Sequence, residues 1–510
     1  MSNRLDRDGA ATTTQSNGSG LASPHPRKPI LNRSLAHALA NDGVRPPTRS
    51  STPVPRMFPS VDYQNRLSYF DPNSDWGNFR GFFVLFWVGL AIMVITAMLR
   101  NLRETGYLLQ FRQWPLFTAN LWELAVVDMA MCGSTILDLP LHLLYKSSRG
   151  WLRWDKGGVI VQSLFQLGWL ALWISWPFMR RWTWTAQVFL TLHTLALFMK
   201  LHSYAFYNGH LSTTLNRLKE LDQPIGPATP MDEAVRYPTA HHPQHLGEDP
   251  QEEKEEQHKE HHHHLSPVYQ LRSDLAQEIT SPMGNVTYPA NLTLPNFFDY
   301  LLVPTLCYEL EYPRVPTRSY QELFWKTLAV FGCVFLMTVT SEEFILPVLS
   351  ASQIRLAHTT NYVDAALIFA EPIFEYVLGA FAEITRFADR QFYSDWWNSL
   401  DWASFARQWN IPVHNFFRRH VYSASRTAKM SKPAAMAVTF FISALAHELV
   451  MGCITRKFRG YGFVLMMLQI PLMAVQRLPG VRERVVVMNV CFWIFMILGL
   501  SLLCALYVLL

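Results

Sequence analysis

Apolar residues fall along this chain in long runs divided by short polar breaks. The runs lie at 81–99, 121–145, 157–178, 184–207, 323–349, 361–385, 433–455, 459–476 and 485–510. Each approaches the length that a helix needs to cross a bilayer, so the pattern predicts an all-α, polytopic membrane protein of about nine transmembrane helices. Helix is the expected form because it satisfies its own backbone in lipid. The eighth run is short, and the second carries Asp128 and Asp138.

The polar stretches set the remaining boundaries. Residues 1–75 are rich in Ser, Thr, Pro, Asn and Arg, with no apolar run. They are expected to be a disordered cytosolic tail. Residues 76–207 hold the first four spans. Residues 208–294 are expected to be a disordered cytosolic loop, His- and acid-rich at HHPQHLGEDPQEEKEEQHKEHHHH (241–264). Residues 295–510 form the second membrane block, opening on an ordered stretch that lies against the membrane surface.

Lys and Arg orient the chain. An Arg-rich tail in the cytosol returns 208–322 and 386–432 to the cytosol, and the second of these holds Arg386, Arg390, Arg407, Arg418, Arg419, Arg426, Lys429 and Lys432. Arg456, Lys457 and Arg459 run against this trend, since their loop would face the lumen. Asn285 and Asn291 match the glycosylation pattern, but on this topology they face the cytosol and stay unmodified.

Composition narrows the class. Half of the residues are hydrophobic and 16% are charged, against about 25% charged in soluble domains. The net charge of +5 is modest and scattered, and no nucleic-acid motif accompanies it. None of the six cysteines forms a CxxC pair. A disulfide framework or a metal site is not expected, and the cysteines read as small buried hydrophobes. No basic-then-apolar leader opens the chain, which places the targeting signal in a later span.

Three segments carry chemistry. His447 sits in FFISALAHELVMG, deep in an apolar run, with Glu448 beside it. A zinc-protease motif would need His at 451, which is Met. Low polarity keeps an imidazole neutral and able to accept a proton, as a general base must. Ser443 lies one turn earlier on the same face, placed to bond the ring or a substrate. The second segment is FYSDWWN (392–398) and its continuation. Trp402, Phe405 and Trp409 make a helical stripe, and His414 and Arg418 share a face after Pro412, with Arg419 and His420 beside them. An amphipathic helix at the cytosolic interface explains the stripe and arginines. A site for a phosphorylated, ring-bearing ligand explains them too. The third segment is MKLHSYAFYN (199–208), where Lys200 and Tyr204 fit interfacial anchors and His202 is less usual.

Together, FYxDWWN, then WNxPVH (Trp409, Asn410, Ile411, Pro412, Val413, His414), then SxxxHE (Ser443, His447, Glu448) resemble the membrane-bound O-acyltransferases. The nearest branch is that of sterol O-acyltransferases and diacylglycerol acyltransferase. Met199-Lys200-Leu201-His202-Ser203 is similar to the sterol form, and HSYAFYNG and RHVY look fungal. Leu449 departs from the Tyr usual in animal relatives. The resemblance implies the family's membrane fold with cytosolic interfacial helices. It implies His447 as catalytic base, Asn398 as its polar partner at the thioester carbonyl, and Trp397 lining the reaction centre. Ser443, Trp409, Asn410, His414, Arg418 and His202 are the implied substrate-binding residues. It further implies acyl-CoA as donor, a membrane sterol as acceptor, no metal or separate cofactor, a homodimer or homotetramer, and an endoplasmic reticulum membrane. A diacylglycerol acyltransferase is the nearest rival. A transporter would show two related halves with broken helices, and a sterol sensor need not keep both FYSDWWN and His447.

Overall fold

The structure, a computed structural model, describes residues 58–68, 80–108, 115, 118–221, 267–340 and 377–509. The histidine-rich run at 241–264 and most of the expected 361–385 span lie outside the described residues.

Helices dominate, and the described residues include no strand beyond isolated bridges. In chain order they are α1 (Arg80–Thr105), α2 (Leu121–Ser134), α3 (Asp138–Ser147), α4 (Val159–Met179), α5 (Trp184–Leu221), α6 (Pro267–Glu278), α7 (Leu294–Leu302) and α8 (Tyr320–Thr340). After FYSDWWN follow α9 (Trp402–Gln408), α10 (Ile411–Phe416), a π-helix (Phe417–Ser423), α11 (Ala424–Thr427), α12 (Lys432–Thr455), α13 (Tyr461–Gln476), α14 (Pro479–Arg482) and α15 (Val485–Leu509). Among the described residues, three stretches, Leu121–Ser147, Trp154–Met179 and Lys432–Cys453, are long and apolar enough to cross a bilayer; Tyr461–Gln476 and Val485–Gly499 are shorter apolar helices. Local sequence sets several starts. Ser431 caps α12 by accepting from the Ala434 amide, and Thr293 caps α7 by accepting from that of Asn296, each just ahead of a proline in the first turn.

The core sits where α5 leaves the apolar slab. Tyr204 and Tyr207 of α5 pack on Phe297, Tyr300 and Tyr308, and Tyr312 stacks on Tyr300 in the same cluster. The helix does not stop at 207, because Leu211, Leu215 and Leu218 continue an apolar stripe that packs against Leu275, Ile279 and Leu292. The loop expected from 208 to 294 is therefore structured at both ends: α5 runs to Leu221 and α6 begins at Pro267. Asn291, one of the two glycosylation matches, is buried and donates to Asn208 Oδ1 (2.7 Å) and Tyr308 Oη (2.9 Å). Gly209 is required here, since a Cβ would overlap the Trp154 indole.

Part of the expected disordered tail is also structured. Residues 58–68 lie along this core: Phe58 is buried, Tyr63 Oη bonds Thr305 Oγ1, and Arg66 holds Asp389 through two nitrogens. Its partners lie about 150 residues away or more, so no local pattern announces it.

One buried ion pair ties these pieces together. Arg419 donates to Glu309 Oε1 and to Tyr308 O, both at 2.9 Å, and stands 4.4 Å over the Tyr207 ring. Glu309 Oε1 also accepts from the Val61 amide (2.9 Å). The pair is 1% and 6% exposed. Burial alone would push the Arg419 guanidinium down, but Glu309 and the neighbouring Cys307 and tyrosines outweigh it and hold it above its ordinary value. Replacing Glu309 by Gln leaves that charge without a counter-ion, which costs about 3–5 kcal/mol. We expect Glu309→Gln to lower the melting temperature in detergent and Glu309→Gln/Arg419→Met to recover most of the loss. An unchanged transition in the single variant contradicts the role given to the pair.

Candidate functional site

FYSDWWN is a loop closed on the start of the next helices. Ser394 N donates to Gln408 O (2.8 Å) and Ile411 N to Phe392 O (2.9 Å). Phe392 and Tyr393 are buried in the tyrosine-rich core. Asp395 holds the turn, accepting from Ser394 Oγ (2.9 Å) and Gln408 Nε2 (3.2 Å). Trp396 meets Trp409 edge-on at 4.8 Å and Trp397 at 6.0 Å. Trp409 therefore supports the loop as part of an aromatic cluster with Phe405.

The chain turns at Trp396–Asn398, a single 3₁₀ turn, and leaves Asn398 exposed. Asn398 lines a cavity of about 420 Å³ with Asp395, Ser404, Gln408, Gln476 and Met488 among its walls. The cavity is therefore polar on the loop side and partly apolar where α15 closes it.

His447 is on α12, uncovered by protein on one side. Its Nδ1 lies 2.8 Å from the Ser443 carbonyl. A carbonyl only accepts, so Nδ1 carries the hydrogen and Nε2 keeps the lone pair. Ser443 thus orients the ring through its backbone, one turn earlier on the same helix. His447 does not line the Asn398 cavity, and among the described residues no hydrogen bond joins the two side chains.

Glu448 is a residue whose role the sequence did not disclose. Its carboxylate accepts from the amides of Arg459 (3.1 Å), Gly460 (2.8 Å) and Phe463 (3.2 Å), and from Tyr507 Oη (2.5 Å). A carboxylate at the N-terminus of α13 satisfies that helix's free amides and its dipole. Gly460, at φ 79°, makes the turn possible. The residue beside His447 thereby fixes α12 against α13 and α15. The glycine-containing RGYG after the run was the available signal.

The remaining expected site residues divide. His414 is half-buried and Arg418 exposed. Burial, then the charges of Arg418 and Arg407, push the His414 imidazole down to about 4. At neutral pH this corner presents two guanidinium groups and a neutral imidazole, suited to an anionic ligand. Asn410 caps α10, its Oδ1 accepting from the Val413 amide (3.1 Å). His202 faces the interior: it stacks on Phe206 at 4.1 Å, lies 3.2 Å from Gln166 Oε1 and meets the His420 ring at 5.5 Å. Its neighbours in MKLHSYAFYN form the same seam. Lys200 donates to the carbonyls of Tyr300 and Val303 at the end of α7, and Ser203 Oγ bonds His420 Nε2 (2.7 Å) and accepts from Tyr308 N.

The family model "MBOAT, membrane-bound O-acyltransferase family" matches residues 164–509. "Probable sterol O-acyltransferase 2" of Schizosaccharomyces pombe is 37% identical over 453 residues, covering 85% of this chain and 87% of that protein. "Sterol O-acyltransferase 2" of Candida albicans is 32% identical over 472 residues, covering 84% and 75%. "Diacylglycerol O-acyltransferase 1B" of Glycine max is 32% identical over 239 residues, 44% of this chain and 47% of that protein.

Two expectations follow. Asn410→Ala removes a helix cap and costs about 1 kcal/mol, whereas Asn410→Asp keeps the acceptor and retains stability and activity. An unchanged melting transition in the Ala variant, or an Asp variant as unstable as the Ala variant, contradicts a capping role. The second concerns pH. Burial first, then Arg419 and His202, hold His420 well below its ordinary value. His414 and His420 both bind a proton more weakly in the folded chain than in the unfolded one, whose histidines titrate near pH 6.5. Stability is therefore full above about pH 6.5 and falls as pH drops toward 4. His420→Asn should flatten the acid limb of a stability–pH curve; an unchanged limb contradicts the assignment.

Proposed function

The chain belongs to the membrane-bound O-acyltransferase family, and we propose that it transfers a long-chain fatty acyl group from acyl-CoA to the 3-hydroxyl of a membrane sterol, ergosterol or a similar sterol. The breadth of the match to fungal sterol O-acyltransferases carries this reading, since they align over more than four-fifths of the chain and the diacylglycerol enzyme over less than half. The protein works as a multi-pass enzyme of the endoplasmic reticulum membrane, with about nine spans and interfacial helices at the cytosolic rim. It acts as a homodimer or homotetramer. The tail, the first four spans, the His-rich loop and the 295–510 catalytic core are its divisions.

His447 is the general base. Its Nδ1 is committed to the Ser443 carbonyl, which leaves Nε2 to accept the sterol proton. The sterol oxygen attacks the thioester carbonyl carbon, the C–S bond breaks, and the imidazolium returns its proton to the departing thiolate. Asn398 donates to the developing oxyanion, and Trp397 lines the centre. Coenzyme A binds along 392–421 with its phosphates at Arg418 and His414. The thioester is already activated, so positioning and one base suffice without a cofactor. The steryl ester leaves into lipid and coenzyme A into the cytosol. His202 and Ser443 support the site from within the protein.

In microsomes lacking other acyltransferases, His447→Ala should reduce labelled oleoyl transfer to sterol by about 10²-fold or more. Arg418→Ala should raise the KM for acyl-CoA with little change in kcat. Near-normal esterification by His447→Ala contradicts its role. Preferred acylation of diacylglycerol over sterol by the wild type contradicts the substrate.

A further inference from the structure

A second group of chemically active side chains lies away from the reaction machinery, between α2 and α5. Asp128 and Cys132 are four residues apart on α2, hence on one face. His193 faces them from α5, with Nδ1 2.6 Å from Asp128 Oδ1. One donor atom from each of the three residues lies within 4.8 Å of the others. The helices here are apolar: Val127, Met131, Leu190 and Trp169 are buried around the group, and Trp122, Val126, Met129 and Phe189 point outward. About a third of the His193 side chain and a fifth of that of Asp128 remain uncovered by the protein.

A carboxylate in such surroundings is costly. The hydrogen bond to His193 relieves part of that cost but makes no use of the third residue. A zinc-class divalent cation uses all three, because carboxylate, thiolate and imidazole form a familiar mixed donor set for it. The charges then sum to zero, with two from the cation against one each from Asp128 and Cys132. Neutrality is what an apolar slab favours. Tetrahedral coordination places donor atoms about 3.3–3.6 Å apart, so the Asp128–His193 contact opens by less than about 1 Å as Cys132 closes in.

We propose that Asp128, Cys132 and His193 bind a zinc-class divalent cation that staples α2 to α5, with water in the fourth position. Binding releases the Cys132 thiol proton to solvent. The staple holds the lumen-side half of α5, the helix whose other end forms the Lys200–Asn208 seam with α7 and the π-helix.

The test uses the full chain purified in detergent, stripped with chelator and titrated with cobalt chloride alone. The histidine run at 261–264 offers imidazole ligands of its own, so total metal content does not discriminate. A cobalt–thiolate charge-transfer band does, because imidazole ligands give none. The wild type should develop this band, and zinc should erase it while raising the melting temperature. Cys132→Ser keeps the Asp128–His193 hydrogen bond and the helix contact, yet should lose the band and the zinc-dependent shift; Asp128→Asn should weaken apparent cobalt affinity at least tenfold. Should Cys132→Ser fail to fold, Cys132→Ala serves as the second variant. No band in the wild type, or an equal band without the Cys132 thiol, overturns the proposal and leaves a hydrogen-bonded helix contact.

Discussion

Arg419 holds a full positive charge where water scarcely reaches, and Glu309 answers it at 2.9 Å. Charges are taken out of water only at a cost of several kcal/mol each, repaid when geometry and further hydrogen bonds are good. Here the further bonds come from separate parts of the chain. Tyr308 supplies a carbonyl to Arg419, Val61 supplies an amide to Glu309, and Tyr207 of α5 offers its ring face. The tail segment, α5, the 303–312 stretch and the π-helix are thus held to one point. His420, the next residue along, adds its bond to Ser203. The end of the FYSDWWN element is anchored by this cluster, and its beginning by Phe392 and Tyr393 in the same core.

The same pattern recurs at α12. His447 and Glu448 are neighbours with opposite duties. The histidine stays uncovered, its tautomer set by the carbonyl one turn back. The glutamate turns toward α13 and spends its oxygens on three amides and a tyrosine hydroxyl. A carboxylate fully occupied in this way stabilises the packing of α12 on α13 and α15.

Much of this was legible in the sequence. The apolar runs announced helices, and FYSDWWN with His447 announced the family, because each demands unusual residues at a membrane. The aromatic stripe at Trp402, Phe405 and Trp409 became helix packing as its spacing implied. The failures have physical causes. Arg418, Arg419 and His420 are consecutive and so point to different faces, but which face turns inward depends on tertiary partners: Arg419 and His420 are buried while Arg418 stays exposed. Polarity at 208–221 suggested a loop, yet Leu211, Leu215 and Leu218 sufficed to extend the helix once a tertiary partner was present. The 58–68 segment depends on partners in the middle and second half of the chain, which no local window includes. Asn410 and Trp409 also have local contacts that the pattern did not announce, a cap on the Val413 amide and an edge-on meeting with Trp396.

In FYSDWWN, then, most side chains hold the loop, while Asn398 alone is left exposed at a cavity. The central claim is that Asn398 and the Nε2 of His447 meet the same substrates from two sides. A cryo-electron microscopy structure with a non-reactive thioether analogue of acyl-CoA and bound sterol tests it directly. The account predicts the sterol oxygen within hydrogen-bond distance of His447 Nε2, Nδ1 still on the Ser443 carbonyl, and the Asn398 amide at the reacting end of the acyl chain. A sterol hydroxyl bound away from His447, or an acyl chain that bypasses Asn398, would contradict it.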